Sequence, residues 1–156
     1  MSVTPKYRAL TTEELEELER EFVEYLVVNG ITADDWKKLR ADTPKKVEDI
    51  LTLFSDVVFE SILRKVDFLE KRMTNELMIF QCLEDRMVLV GITSSATDFT
   101  NQEQLEKAVE KPPQDAKVYT TEKPYNQARE MELFQMLESG CMITDGKLFK
   151  ALSLAL

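Results

Sequence analysis

With 156 residues, 44% of them hydrophobic, the chain has the size of one compact domain, and residues 1–156 are read as a single one. Twenty basic against 29 acidic residues give a net charge of −9, which repels phosphate backbones and anionic lipid surfaces, so neither nucleic acid nor membrane is an expected partner. The chain has no histidine and only four glycines, Gly30, Gly91, Gly140 and Gly146; this removes Ser–His, Cys–His and His-ligated metal chemistry and leaves no phosphate-cradling loop or dinucleotide fingerprint.

In chain order, TTEELEELEREFVEYLVVNG reads as a helix with Thr12 as N-cap, acidic residues in its first turn and Gly30 just past its end. Leu15, Leu18, Phe22, Tyr25 and Leu26 form its apolar stripe, and its glutamates form a solvated face. ITADDWKKLRADTP gives a second helix, capped by Thr32 with Asp35 in a variant capping box and anchored by Trp36 and Leu39. Thr43 caps a third helix with Pro44 at its first position, a place that tolerates the missing N–H. No Gly or Pro interrupts it before Arg72, so a span of about 28 residues and about 42 Å is expected at ~1.5 Å per residue.

From Leu77 the period changes. LMIFQCL and MVLVGIT, joined by EDR, predict a β-hairpin near residues 77 to 93. Thr100 and Glu103 make a capping box for NQEQLEKAVEK, which Pro112 and Pro113 stop, and AKVYTT is a third strand. Pro124 opens a helix whose Ala128, Met131, Phe134 (or Leu133) and Leu137 face inward and which Gly140 ends. In the tail GCMITDGKLFKALSLAL, Asp145-Gly146 signals a hairpin while Leu148, Phe149, Leu152 and Leu156 follow a helical period. A strand at Cys141 to Ile143 followed by a terminal helix is the favoured reading.

Cys82 and Cys141 stand 59 positions apart with no second cysteine near either, which excludes CxxC patterns and predicts two buried thiols in a reducing cytoplasm. The start has no apolar stretch behind a basic segment, and the longest apolar run elsewhere is MVLVGI, so neither a secretory leader nor a membrane span is expected.

The third helix carries the main question. Asp56 and Glu60 lie about 40° apart on a helical wheel, with Asp49, Thr52, Arg64, Asp67 and Lys71 on the same strip. Leu53, Phe59 and Leu63 encroach on that strip, so the pair is expected to be partly exposed. The strip is a solvated stripe with Arg64 as the local counter-charge of Glu60, a surface that binds a partner, or a ligand site of Asp56, Glu60 and Arg64 in which the carboxylates meet further oxygens around Mg²⁺ or Ca²⁺ or serve as acid or base. Two carboxylates are too few to specify a metal.

Other candidates are weaker. Cys141 lacks a base to deprotonate it. Lys65 falls opposite the polar strip, where snorkelling or an internal ion pair is expected. Lys123 and Tyr125 flank a helix start that could receive an anion. Trp36, Tyr7 and Tyr25 are expected in or beside the core.

YRALT at the start, ITADDWKKL, LFSDVVFESIL with LEKR behind it, and the closing GCMITDGKLF resemble a family of small uncharacterised proteins of Bacteroidota that carries only a domain-of-unknown-function label. The resemblance covers nearly the whole chain. It implies a bacterial, cytoplasmic setting and supplies no activity, cofactor or partner.

The expected fold is α+β: N-terminal helices including one long one, then a small, mainly antiparallel sheet of three or four strands with flanking helices. The expected function is a non-enzymatic interaction or structural module, binding a protein partner or itself through an apolar patch bordered by acidic residues. The alternative is a small-ligand or divalent-cation-binding protein or enzyme using Asp56 and Glu60. No catalytic residue and no cofactor is assigned.

Overall fold

The computed structural model describes residues 3–156. The fold is α+β and divides into two compact units, Met1–Ile62 and Leu63–Leu156.

In the first unit, α1 spans Thr12–Glu17 and α2 Glu19–Val28. The cap of α1 is Thr11 rather than Thr12. Thr11 has Glu14 three residues on and closes a reciprocal capping box with it, whereas the residue three past Thr12 is Leu15, which has nothing to return. The expected single helix is interrupted at Leu18, whose N–H is shared between Glu14 O at 3.1 Å and Leu15 O at 3.2 Å. At the end of α2, Ile31 N–H reaches Leu26 O and Gly30 N–H reaches Val27 O, the paired bonds of a Schellman motif.

Thr32 and Asp35 cap α3, Ala33–Asp42, as expected, each side chain accepting the other's N–H at 3.1 Å. α4 runs Pro44–Arg64, 21 residues. The aromatic core of this unit is Phe54 of α4 between Phe22 and Tyr25 of α2, at 5.0 and 5.3 Å between ring centroids, with Trp36 edge-on to Phe22. Such pairs contribute about 0.5–1.5 kcal/mol each beyond area burial.

The helix does not continue to Arg72. Phe68–Arg72 is a strand, β1, and the last two residues of α4, Leu63 and Arg64, belong to the second unit. β1 is followed by β2, Glu76–Cys82, and β3, Arg86–Thr93, the expected hairpin, then by α5, Gln102–Glu110, and β4, Lys117–Pro124. α6, Arg129–Glu138, β5, Met142–Thr144, and α7, Lys147–Ser153, complete the unit, so the tail is strand plus helix. The sheet has five strands in the order β4-β3-β2-β1-β5, and every pairing is antiparallel.

Register decides which side chains share a face. Leu77 pairs with Ile92 and Ile79 with Val90, and these four meet Phe99, Leu105, Ala108 and Val109 of the α5 region and Leu152 of α7 in a sealed core. Burying each large member is worth about 1.5–3 kcal/mol. On the other face Gly91 lies opposite Tyr119, and a Cβ there would come within 2.3 Å of the phenol ring. The missing side chain lets the ring lie flat and donate to Glu76 at 2.5 Å. Gly146, at φ 84°, starts α7 with a Cβ-sized gap filled by the Phe68 ring. The outer strands are protected in different ways: β4 carries charges and a proline, and β5 is only three residues long.

Two helix starts differ from expectation. α5 is capped by Asn101, which accepts Gln104 N–H at 3.0 Å, while Thr100 is engaged by Asp98. Pro124 closes β4, opposite Arg86, rather than opening α6. In α6, Leu133 and Phe134 are buried, Met131 and Leu137 half-buried, and Ala128 is exposed at the cap.

Candidate functional site

The Asp56–Glu60 strip of α4 is occupied by the chain's own start. A segment without helix or strand, residues 3–10, bends at Lys6 and Tyr7 and lies along it. Asp49 accepts Val3 N–H at 3.1 Å, Asp56 accepts Lys6 N–H at 2.9 Å, and Ser55 Oγ accepts Leu10 N–H at 3.0 Å while donating to Leu51 O. Glu60 accepts the Lys6 ammonium at 3.2 Å and the Tyr7 hydroxyl. Side chains thus satisfy main-chain donors that a segment without helix or strand would otherwise leave to water.

Arg8 closes the far end of the segment. Its guanidinium lies 4.8 Å from the Phe59 ring centroid and forks onto Glu14 at 2.8 and 3.1 Å. That hydrogen bond, with the Thr11 N–H, holds the Glu14 carboxyl at about 2, well below the usual carboxylate range. Asp56 and Glu60 are therefore brought together around Lys6 and Tyr7. Arg64, the last residue of α4, lines a depression with Asp67, Cys82 and Arg129. Among the described residues no group of three or more Cys, Asp or Glu side chains is arranged to hold a metal ion.

A second feature of α4 lies on its opposite side. Val57 and Ser61 stand about 100° and 140° around the wheel from Asp56, and Phe54 and Val58 beyond them. Together with Ile62, and with Leu18, Tyr25 and Val28 of the facing α2, they line a groove of about 410 Å³. Three of its apolar residues are open to solvent, Val28 at 84%, Val57 at 51% and Ile62 at 44%, while Leu18, Tyr25 and Val58 are half-buried and Phe54 forms a buried floor. The charged residues lining it are Glu21 and Glu24. Burial raises the pKa of the Tyr25 phenol on its wall.

The remaining candidates have structural partners. Cys82 and Cys141 are both buried, and burial pushes the Cys82 thiol up to about 12 and raises that of Cys141. Tyr125 donates to Leu83 O at 2.7 Å. Lys123 lies 3.8 Å from Glu132, whose buried carboxylate also accepts Asn126 N–H ahead of α6. A protein carboxylate therefore occupies the place where an anion was considered. Lys65 lies past the end of α4 and is exposed, so the apolar face it was assigned to ends before it. In the second unit, Asp115 gathers the Ser94 hydroxyl and both the N–H and hydroxyl of Ser95. The Ser95 hydroxyl leads in holding its carboxyl below the usual range. This is a clasp for the loop after β3.

Sequence reasoning missed Arg129. Its guanidinium donates to four main-chain carbonyls, those of Leu63, Val66, Cys82 and Leu83, and its side chain is only 13% exposed. No local signal marks it, because its partners lie 46 to 66 positions away.

No helix among the described residues is long and apolar enough to cross a membrane. No curated protein and no solved structure matches the chain. The model of one family matches residues 1–156, and the chain belongs to that family, the family of unknown function DUF6495.

Proposed function

We propose that this chain is a non-enzymatic interaction module that binds another protein through the groove between α2 and α4. The observation that carries the reading is the row of exposed apolar side chains, Val28, Val57 and Ile62, on facing helical ridges within one unit. Contiguous apolar surface is seldom left open without a use. The absence of histidine from the sequence supports the same reading by removing the commonest catalytic base. Two buried thiols fit a reducing bacterial cytoplasm as the setting.

The alternative, a ligand or divalent-cation site at Asp56 and Glu60, is less well supported. One oxygen of Asp56 accepts from Lys6 and one oxygen of Glu60 accepts from Lys6 and Tyr7, so a ligand there would compete with the N-terminal segment. The test of the interaction reading is affinity capture with the wild type, a Val57→Asp variant and a Leu154→Asp control at the exposed C-terminal tail. The expected result is a protein retained by wild type and control and lost with Val57→Asp. Identical recoveries with all three chains would overturn the reading.

A further inference from the structure

We infer that the occupant of the α2–α4 groove is an amphipathic helix of another protein that carries lysine or arginine beside its apolar face. The inference rests on the interaction reading above and adds the chemistry of the partner. Shape gives the first argument. One wall is the ridge Glu21, Tyr25 and Val28, and the other is the ridge Phe54, Val58 and Ile62. From Glu21 to Val28 is two helical turns, about 10 Å, the length over which a docking helix places anchors at i, i+3 or i+4, and i+7.

Charge gives the second argument. Among the described residues no Lys or Arg lines the groove, while Glu21 and Glu24 do. Residues 12–28 carry seven acidic residues and one basic, Arg20, and Arg20 already lies 3.5 Å from Glu24. A cation on the incoming helix therefore meets an acidic rim, which favours encounter and fixes orientation. A second copy seated on the same patch would bring Glu21 and Glu24 of both chains into one interface, a repulsive arrangement that selects against self-association. An acyl chain with an anionic head would meet the same repulsion.

The test uses the full chain with isotope-labelled methyl groups and two synthetic helical peptides. The peptides share one leucine face and carry either lysine or glutamate on its flanks. The lysine peptide is expected to shift the methyl resonances of Val28, Val57 and Ile62 and to bind about tenfold more tightly than its glutamate counterpart at low salt, with the preference reversed in Glu21→Lys/Glu24→Lys. Equal binding of both peptides in the groove would overturn the charge inference and leave the interaction reading standing. A groove-dependent partner captured from lysate, with neither peptide shifting these methyls, would do the same. Shifts produced by dodecanoate alone, or a Val57-dependent dimer in light scattering, would reassign the groove and overturn the inference. If no peptide binds and no Val57-dependent protein is captured, both readings fall.

Discussion

Replacing Arg129 with methionine keeps a long apolar stem and removes every donor. Four carbonyls, at the end of α4, in the turn before β1 and at the β2–β3 turn, lose a charged partner at once. Hydrogen bonds to charged groups contribute about 1.5–3 kcal/mol each, but such terms do not add. The carbonyls of Cys82 and Leu83 also border an open depression of about 390 Å³, where water can replace the guanidinium. The expected net loss is about 3 kcal/mol, a large part of a typical ~5–15 kcal/mol stability.

Trp36, the only tryptophan, lies in the first unit and is a poor probe of the sheet. Hydrogen exchange of the β2 and β3 amides reads the second unit directly, and the expected loss corresponds to roughly 150-fold faster exchange of the most protected ones. Arg129→Lys keeps the charge without the planar fork and should fall between. Exchange in Arg129→Met within about fivefold of wild type would refute the reasoning, since the loss would then be below about 1 kcal/mol.

Further outcomes follow from the same contacts. Asp56→Asn/Glu60→Gln should raise amide exchange and protease cleavage in residues 3–10 and lower stability by about 1–2 kcal/mol, with millimolar Mg²⁺, Ca²⁺ or Mn²⁺ leaving the Tm of wild type and variant unchanged; a metal-dependent rise confined to wild type would restore the cation-site reading. Because the folded-state pKa of Glu14 is lowered from 4.5 to about 2, its contribution is complete above 4.5 and is lost as pH falls toward 2. Wild-type Tm should accordingly fall more steeply over that window than that of Arg8→Gln, and parallel curves would contradict the clasp. With its thiol pushed up to about 12 and both cysteines buried, the folded chain should resist iodoacetamide at pH 8 and react at Cys82 and Cys141 only in denaturant; mass spectrometry of the alkylated chain decides this.

The legible parts of the fold are those whose cause is local. The Thr32–Asp35 box, the Leu77–Thr93 hairpin and the terminal strand and helix each follow from a period or a cap within a few residues. The end of α4 does not. FLEKR continues an apolar, helix-compatible pattern without Gly or Pro, and the bonds that take up the Leu63 and Val66 carbonyls come from Arg129, far along the chain. Asp56 and Glu60 were visible as one face of a helix. Their partners Lys6 and Tyr7 were not, because a segment 50 to 54 residues upstream leaves no periodic trace of where it will lie. Which apolar positions stay open on these helices was not legible, because that depends on how α2 packs against α4.

The most direct test of the account is photo-crosslinking in the native cell from benzoylphenylalanine placed at Val57, compared with the same group at Leu154. A discrete adduct from position 57 to one protein is expected, absent from position 154 and lost on adding Glu21→Lys/Glu24→Lys. No adduct from position 57, or the same adducts from both positions, would contradict it.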